Sequence, residues 1–332
     1  MAHKERAATF MGVGHFVPEK LLTNADLEKI VETSNDWIVE RTGIKERHIT
    51  TPEEASSDLA TPAARKALAA AGVAAEDLDL IIVATITPDF FFPSTACVVQ
   101  NAIGAKNAGA FDLAAGCSGF IYGCNVASQF IETGRYDHIL VVGVETLSKI
   151  TDMTDRNTCV LFGDAAGAAV LGPAEPGQGI LATHVKADGS LGYLLHMPAG
   201  GSRRPPSHES IDRREHFIKM EGREVFKNAV RSMCESAEYV LKAAGVAGAD
   251  VDLLIPHQAN WRIMSAVADR LKLPHDKVFV NLDKYGNTSA ASIPLALSEA
   301  VAQGRLKKGN LLLNVAFGAG FTWAANLVRW TA

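Results

Sequence analysis

A thiol, an imidazole and a carboxamide can together carry an acyl group and hold the oxyanions formed around it, and this 332-residue chain sets one of each at the end of an apolar strand. Cys117 lies in Ala114-Ala-Gly-Cys-Ser-Gly-Phe120, where small neighbours open the sulfur and the backbone to close approach. At the start of a helix its thiolate would meet free N–H groups and a partial positive charge. These are expected to draw a cysteine pKa from roughly 8.5 into about 3.5 to 7.5. Free cysteine is also among the most buried residue types, so an inert, packed Cys117 is the competing reading. His257 stands in Leu253-Leu-Ile-Pro-His-Gln-Ala-Asn260, at the carboxyl end of an apolar strand, where α/β sheets gather ligands. It is better placed to face a cleft than the other histidines, although a satisfied core histidine fits the same pattern. Asn287, in Tyr285-Gly-Asn-Thr-Ser-Ala-Ala-Ser292, reads on its own as a helix N-cap. Beside an imidazole its amide could instead donate to a developing oxyanion. The turn Phe317-Gly-Ala-Gly-Phe-Thr-Trp323 could bring a backbone N–H against a reacting carbonyl. Phe162-Gly-Asp-Ala-Ala-Gly167 looks like its counterpart, and tight backbone packing explains both.

What must bring these groups together is a duplicated scaffold. Leu68-Ala-Ala-Ala-Gly-Val73 followed by Asp79-Leu-Ile-Ile is matched by Leu241-Lys-Ala-Ala-Gly-Val246 followed by Asp252-Leu-Leu-Ile, at an offset of 173. The stretch from Cys117 to Arg135 matches that from Asn287 to Arg305 without gaps, at an offset of 170. Each stretch reads as a small-residue helix of about five turns, preceded by a strand (110–113, 278–282) and followed by another (139–144, 311–315). Alternating strands and helices predict two mostly parallel sheets covered by helices. Duplication relates the halves, 1–173 and 174–332, by a pseudo-twofold axis. Cys117 and Asn287 occupy equivalent positions and should converge at the seam.

Composition bounds the rest. At 48% hydrophobic and 21% charged residues the chain is ordinary globular material, and its net charge of -5 gives no general attraction for nucleic acid or an anionic membrane. No apolar run approaches the roughly 18 residues of a spanning helix, and residues 1–13 lack the apolar region of a signal peptide. A cytoplasmic location is therefore expected. Five cysteines without a C-x-x-C pair argue against a disulfide framework or a zinc site. Residues 198–210, rich in turn formers, are expected to form a surface loop, either a lid or a linker.

The Ala-Gly-Cys-Ser-Gly context, Pro256-His-Gln-Ala-Asn260, the Gly286-Asn-Thr-Ser turn and the terminal Phe-Gly-Ala-Gly-Phe resemble β-ketoacyl-acyl-carrier-protein synthase III of bacterial fatty-acid synthesis. So do Thr23-Asn-Ala-Asp-Leu27 and Trp37-Ile-Val-Glu-Arg-Thr-Gly-Ile44, and the likeness spans nearly the whole chain. It implies an α/β, thiolase-like fold of two duplicated halves layered α-β-α-β-α. It implies an acyltransferase in which Cys117 takes an acyl group, acetyl by default, from acyl-CoA. Malonyl-acyl carrier protein then loses CO₂ in a decarboxylative Claisen condensation, with His257 and Asn287 hydrogen-bonding the malonyl thioester oxygen and the backbone N–H groups of Cys117 and Ala319 holding the condensation oxyanion.

The resemblance also assigns CoA binding to Trp37, Arg41, Arg156 and Asn260, and the acyl pocket to Phe92, Leu147, Phe162 and Leu195. Phe92 is expected to act across the interface of a homodimer. For the acidic carrier protein the chain offers Arg223, Lys227 and Arg231 at i, i+4 and i+8, plus Arg262, a spacing that a solvated helix face also shows. No cofactor or metal is implied, since both thioesters are substrates. A degradative thiolase would need a second cysteine near the C-terminal glycines, and none follows Cys234. A condensing enzyme of secondary metabolism or olefin synthesis, and a non-catalytic scaffold of the same fold, remain as alternatives.

Overall fold

The computed structural model describes residues 6–332; residues 1–5, the start of the stretch expected to hold no signal peptide, lie outside it. Among the described residues, apolar runs form nine strands in two main sheets, beside two small two-stranded ones. β1 (Ala7–Phe16), β2 (Leu80–Ala84), β3 (Gly109–Leu113), β4 (Ile139–Thr146) and β5 (Asp164–Ala174) pair in the order β1-β5-β4-β2-β3. β6 (Gly179–Ala187), β7 (Leu253–Pro256), β8 (Leu311–Gly318) and β9 (Thr322–Arg329) pair in the order β7-β8-β9-β6. The second order repeats the first with one member missing. The counterpart of β3, expected over 278–282, is reduced to a single parallel bridge between Leu254 and Val278. The Gln258 side chain explains the loss. Its amide donates to the carbonyls of Pro256 and Phe279 and accepts from the N–H of Asn281 at 3.0 Å, occupying groups a strand would have to pair.

The sheets are mixed rather than mostly parallel. β2 runs parallel to β3 and β4, and β7 to β8, but β5 is antiparallel to both neighbours, as is β9. Strands buried on both faces carry no directional signal in their side chains. The turn from β8 to β9, residues 319–321, is far too short for the crossover that parallel pairing requires.

Helices fill three layers: α1 (Asn35–Thr42), α2 (Ser56–Ala71), α3 (Gly119–Glu132), α4 (Gly222–Ala244), α5 (Trp261–Leu271) and α6 (Ser292–Ala302) are the ones that bear on the site. Alternate residues of each strand face opposite ways. Leu80 and Ile82 of one sheet, and Ile255 and Leu312 of the other, bury against Phe120 and Cys124 of α3 and Ile293 and Leu297 of α6 between the sheets. Ile81 and Val83 face outward to Leu59, Ala63 and Ala67 of α2. Leu254 and Leu313 face Met233 and Ala237 of α4 and Met264 and Val267 of α5. This is the expected α-β-α-β-α stack. The repeat reaches backbone conformation: Gly72 and Gly245 both end helices at φ 66°, and Gly134 and Gly304 adopt φ 72° and 66°.

Two helices are shorter than expected. α3 has 14 residues and α6 has 11, because each is preceded by a 3₁₀ turn, Gly116–Ser118 or Ser289–Ala291. The loop over 198–210 folds back on the body. Ala199 is buried, Ser207 caps the short helix His208–Asp212, and Arg204 pairs with Glu215 at 2.7 Å. Beyond it, Arg214 clamps the buried carboxylate of Asp152. Among the described residues no helix is long and apolar enough to cross a membrane.

Candidate active site

Cys117 sits in the 3₁₀ turn ahead of α3, held against the glycine turn between β8 and β9. The Thr322 hydroxyl donates to Ala115 O at 2.7 Å and the Ser118 hydroxyl to Thr322 O at 3.1 Å. Glycine is required on both sides of this contact. A Cβ on Gly318 would stand 2.4 Å from the Cys117 nitrogen, and one on Gly116, at φ 53°, would stand 2.8 Å from the Ala319 nitrogen. The two backbone donors expected to hold an oxyanion are thus on adjoining turns.

The expected low thiol pKa is not what results. Burial pushes the Cys117 thiol up to about 12, outweighing the hydrogen bond from Ser289, and the nearby Glu145 carboxylate adds to the rise. The sulfur lies in the 3₁₀ turn before the helix proper, so the expectation based on a helix N-terminus overstated the effect.

His257 follows β7 directly, its N–H donating to Val315 O at 2.8 Å. Its Nδ1 is 2.7 Å from Ser292 Oγ on the first turn of α6. Burial lowers its pKa to about 3, so the ring is neutral. Asn287 is pinned to the other half by a bridge to Phe162, with N–H to Leu161 O at 2.8 Å and its own carbonyl accepting from Gly163 N–H at 3.0 Å. Its Oδ1 accepts from the Ser289 N–H at 2.9 Å, which turns the amide N–H₂ away from that bond. The asparagine therefore closes a local turn and does not cap a helix, as its residue type had suggested it would.

Cys117, His257 and Asn287 line one cavity. Phe162 and Leu195 line it as well, and both also line a second, apolar chamber of about 200 Å³ that shares Cys117 and reaches Leu147, Ile218 and Met197. Leu147, Phe162 and Leu195 thus share this chamber with Cys117. Phe92 does not: it is 86% exposed, beside Phe91 at 83% and Phe90 at 59%.

Asn260 lines the first cavity, and its amide donates to Arg41 O at 3.0 Å while its oxygen caps α5 at Arg262 N–H. Across that link lies Trp37, with the guanidinium of Arg156 4.1 Å and that of Arg41 5.0 Å from its ring centre. Arg223, Lys227 and Arg231 are exposed on α4, and Arg262 is exposed on α5. Val225, Phe226, Ala229 and Met233 of the same α4 line the first cavity, so the basic residues and the cavity share one helix.

Sequence reasoning missed Ser292 and Gln258, which fix the imidazole and the loop after it. It also missed the apolar residues that α4 gives to the cavity. The spacing Val225, Ala229, Met233 at i, i+4, i+8 was a usable signal, but it reads equally as a core-facing stripe.

A cysteine, a neutral histidine and an asparagine around one cavity, between two α/β halves, fit a thiolase-fold condensing enzyme. Residues 111–189 match the family described as 3-oxoacyl-[acyl-carrier-protein (ACP)] synthase III, and residues 241–330 match its C-terminal counterpart. The β-ketoacyl-[acyl-carrier-protein] synthase III of Caldanaerobacter subterraneus subsp. tengcongensis is 59% identical over 98% of each chain. The crystal structure of 3-oxoacyl-[acyl-carrier-protein] synthase III from Aquifex aeolicus VF5 superposes with a TM-score of 0.90 at 51% identity, covering 97% of this chain and all of that one. The priming β-ketosynthase of the R1128 polyketide pathway gives a TM-score of 0.91 at 33% identity, covering all of this chain and 98% of that one. The chain belongs to the β-ketoacyl-acyl-carrier-protein synthase III family, the condensing acyltransferases of fatty-acid synthesis.

Proposed function

We propose that Cys117 accepts an acyl group, acetyl by default, from acyl-CoA and passes it to the carbanion released when malonyl-acyl carrier protein loses CO₂. The observation that carries this reading is the single cavity lined by Cys117, His257 and Asn287. With Ser292 Oγ donating to Nδ1, the neutral imidazole presents Nε2–H, and Asn287 presents Nδ2–H₂. Two donors then meet the malonyl thioester oxygen as negative charge develops on it, which lowers the decarboxylation barrier without a proton transfer. A charged imidazolium is not needed, and the lowered pKa of His257 keeps the ring neutral at physiological pH. The N–H groups of Cys117 and Ala319 hold the oxyanion of the condensation step.

Trp37, Arg41, Arg156 and Asn260 form the CoA site, by stacking on adenine and pairing with phosphate. Arg223, Lys227, Arg231 and Arg262 receive the acidic carrier protein beside the cavity. The acyl chain enters the second chamber between Leu147, Phe162 and Leu195. The working unit is a homodimer. β3 is the exposed edge of its sheet, with Phe111 38% exposed, and the apolar run Phe90, Phe91, Phe92 stands in the open. A second copy would cover both and set Phe92 at its neighbour's chamber. The reaction needs no cofactor, because both thioesters arrive already activated. We place it in the cytoplasm, in keeping with five unpaired cysteines.

The test is a panel of acyl-CoA primers with malonyl-carrier protein, scored by kcat/KM, alongside peptide mapping after labelled acetyl-CoA. Label on the Cys117 peptide, lost in Cys117→Ala, is the expected result. An unlabelled wild type would identify a scaffold without turnover, and a strong preference for long primers would favour the secondary-metabolism reading.

A further inference from the structure

The turn that carries Asn287 belongs to the second half of the chain but is seated on the first. Its 3₁₀ stretch, Ser289–Ala291, packs on β4. There Gly143 leaves room for the Ala290 carbonyl, since a Cβ on Gly143 would stand 2.2 Å from that oxygen. Glu145 lies two residues further along the strand and so faces the same way. Its Oε1 accepts from Ser289 Oγ at 3.0 Å. Its Oε2 accepts from Thr87 Oγ1 at 2.6 Å, the Ile86 N–H at 3.1 Å and Thr85 Oγ1 at 3.3 Å, which fix the carboxylate in turn. Glu145 and Ser289 are both buried.

Ser289 is where this seat meets the asparagine. Its φ is 47°, in the left-handed region, where a residue with a Cβ is disfavoured and stays only when its surroundings fix it. In that conformation its N–H donates to Asn287 Oδ1 at 2.9 Å. Among the described residues this is the one hydrogen bond that the Asn287 side chain makes. The 3₁₀ turn closes at Ser292, whose N–H donates to Ser289 O and whose Oγ lies 2.7 Å from His257 Nδ1. One turn therefore bears on both polar side chains that line the first cavity.

We propose that Ser289, anchored by Glu145, is a positioning residue for decarboxylation: the hydroxyl–carboxylate bond holds the left-handed turn, and the N–H of that turn fixes the Asn287 amide with Nδ2–H₂ toward the malonyl thioester oxygen. This rests on the reading of Asn287 as a donor to that oxygen. The need for such a hold follows from the amide itself. The terminal torsion of asparagine is broad and roughly two-fold, so an unheld side chain also presents its oxygen, an acceptor, to the developing negative charge. An oxyanion donor is effective when it is fixed before the charge appears. A serine at positive φ, bonded at one end to a buried acid and at the other to the amide oxygen, meets that requirement without touching substrate.

Substitutions at position 289 separate a hold on the turn from any other use of the hydroxyl. In full-length protein, Ser289→Ala deletes the hydroxyl and keeps the Cβ that disfavours the left-handed φ. It should lower kcat for decarboxylation of malonyl-carrier protein about tenfold, less than the 10² to 10³ expected for loss of a donor outright. Single-turnover acylation of Cys117 by acetyl-CoA, followed by intact mass, should stay within about twofold of wild type, because Asn287 has no part in that step. Ser289→Gly also deletes the hydroxyl, but glycine takes a positive φ without strain, so decarboxylation should recover to within about threefold of wild type. Glu145→Ala should resemble Ser289→Ala on its own and change decarboxylation by less than about twofold when added to Ser289→Gly. If Glu145→Ala does not fold, the alanine and glycine variants decide. Wild-type decarboxylation in Ser289→Ala would overturn the proposal. Equal impairment in the alanine and glycine variants would also do so, as would loss of acylation together with decarboxylation, which marks a strut beneath the whole site. Asn287→Ala in the same assay reports separately on the reading beneath the proposal, since unimpaired decarboxylation there would remove the asparagine from the step.

Discussion

Glu145→Gln should change how stability depends on pH, and by an amount the structure supplies. Burial raises the Glu145 pKa to about 7 from 4.5, so the native state binds a proton over a range where the unfolded chain has lost it. A folded pKa above the unfolded one means stability that is complete below pH 4.5 and is lost as the pH rises through 7, after which the buried carboxylate is a constant burden. At 1.36 kcal/mol per pKa unit the full span is about 3 kcal/mol, most of which falls between pH 5 and pH 8. Glutamine has the same shape and no charge. The carboxylate accepts from the Ile86 N–H and from the Thr85, Thr87 and Ser289 hydroxyls; the glutamine oxygen can keep the N–H, and the hydroxyls can turn to suit an amide. Any fixed cost of that rearrangement does not depend on pH. The measurement is urea unfolding of both proteins at pH 5 and pH 8, at equal protein concentration. The stability of the variant relative to wild type should improve by about 2 to 3 kcal/mol across that interval. Parallel pH profiles, agreeing within about 0.5 kcal/mol, would refute the claim that this carboxyl is both buried and ionised near neutrality.

Two further outcomes follow from the site. His257→Ala removes one of two donors to the malonyl thioester oxygen and should lower decarboxylation by about 10² to 10³ in kcat, while labelling of Cys117 by acetyl-CoA continues; equal loss of both half-reactions in rapid-quench assays would count against the division of labour. Trp37→Ala removes the ring that Arg156 and Arg41 cover, and it should raise the KM for acyl-CoA about tenfold with kcat unchanged; steady-state kinetics at saturating malonyl-carrier protein will show whether kcat moves instead.

Much of the molecule was legible in the order of its residues. The offset that carries Cys117 onto Asn287 fixed the duplication, because equivalent helices must start at equivalent turns. The glycines that repeat with it keep the same left-handed φ in both halves. Cys117 and His257 could be named because each follows an apolar strand, and the carboxyl end of a buried strand is where a side chain can be both fixed and reached; Asn287 could be named because the repeat sets it opposite Cys117. Helix α4 could be read as amphipathic, with its basic residues on the open face.

Tertiary structure decided what depends on neighbours far along the chain. Strand direction was hidden, since residues buried on both faces look the same whichever way a strand runs. The lost strand after Asp276 was hidden too, because one side chain, Gln258, takes over its hydrogen bonds. The Cys117 thiol differs for a similar reason: local sequence shows the helix ahead of the sulfur, while the burial that pushes the thiol up depends on residues that only folding brings around it. Glu145 and Ser289 are 144 residues apart and unremarkable in their own segments. Only folding brings that carboxylate and hydroxyl together, since a hydrogen-bonded pair is a property of positions in space.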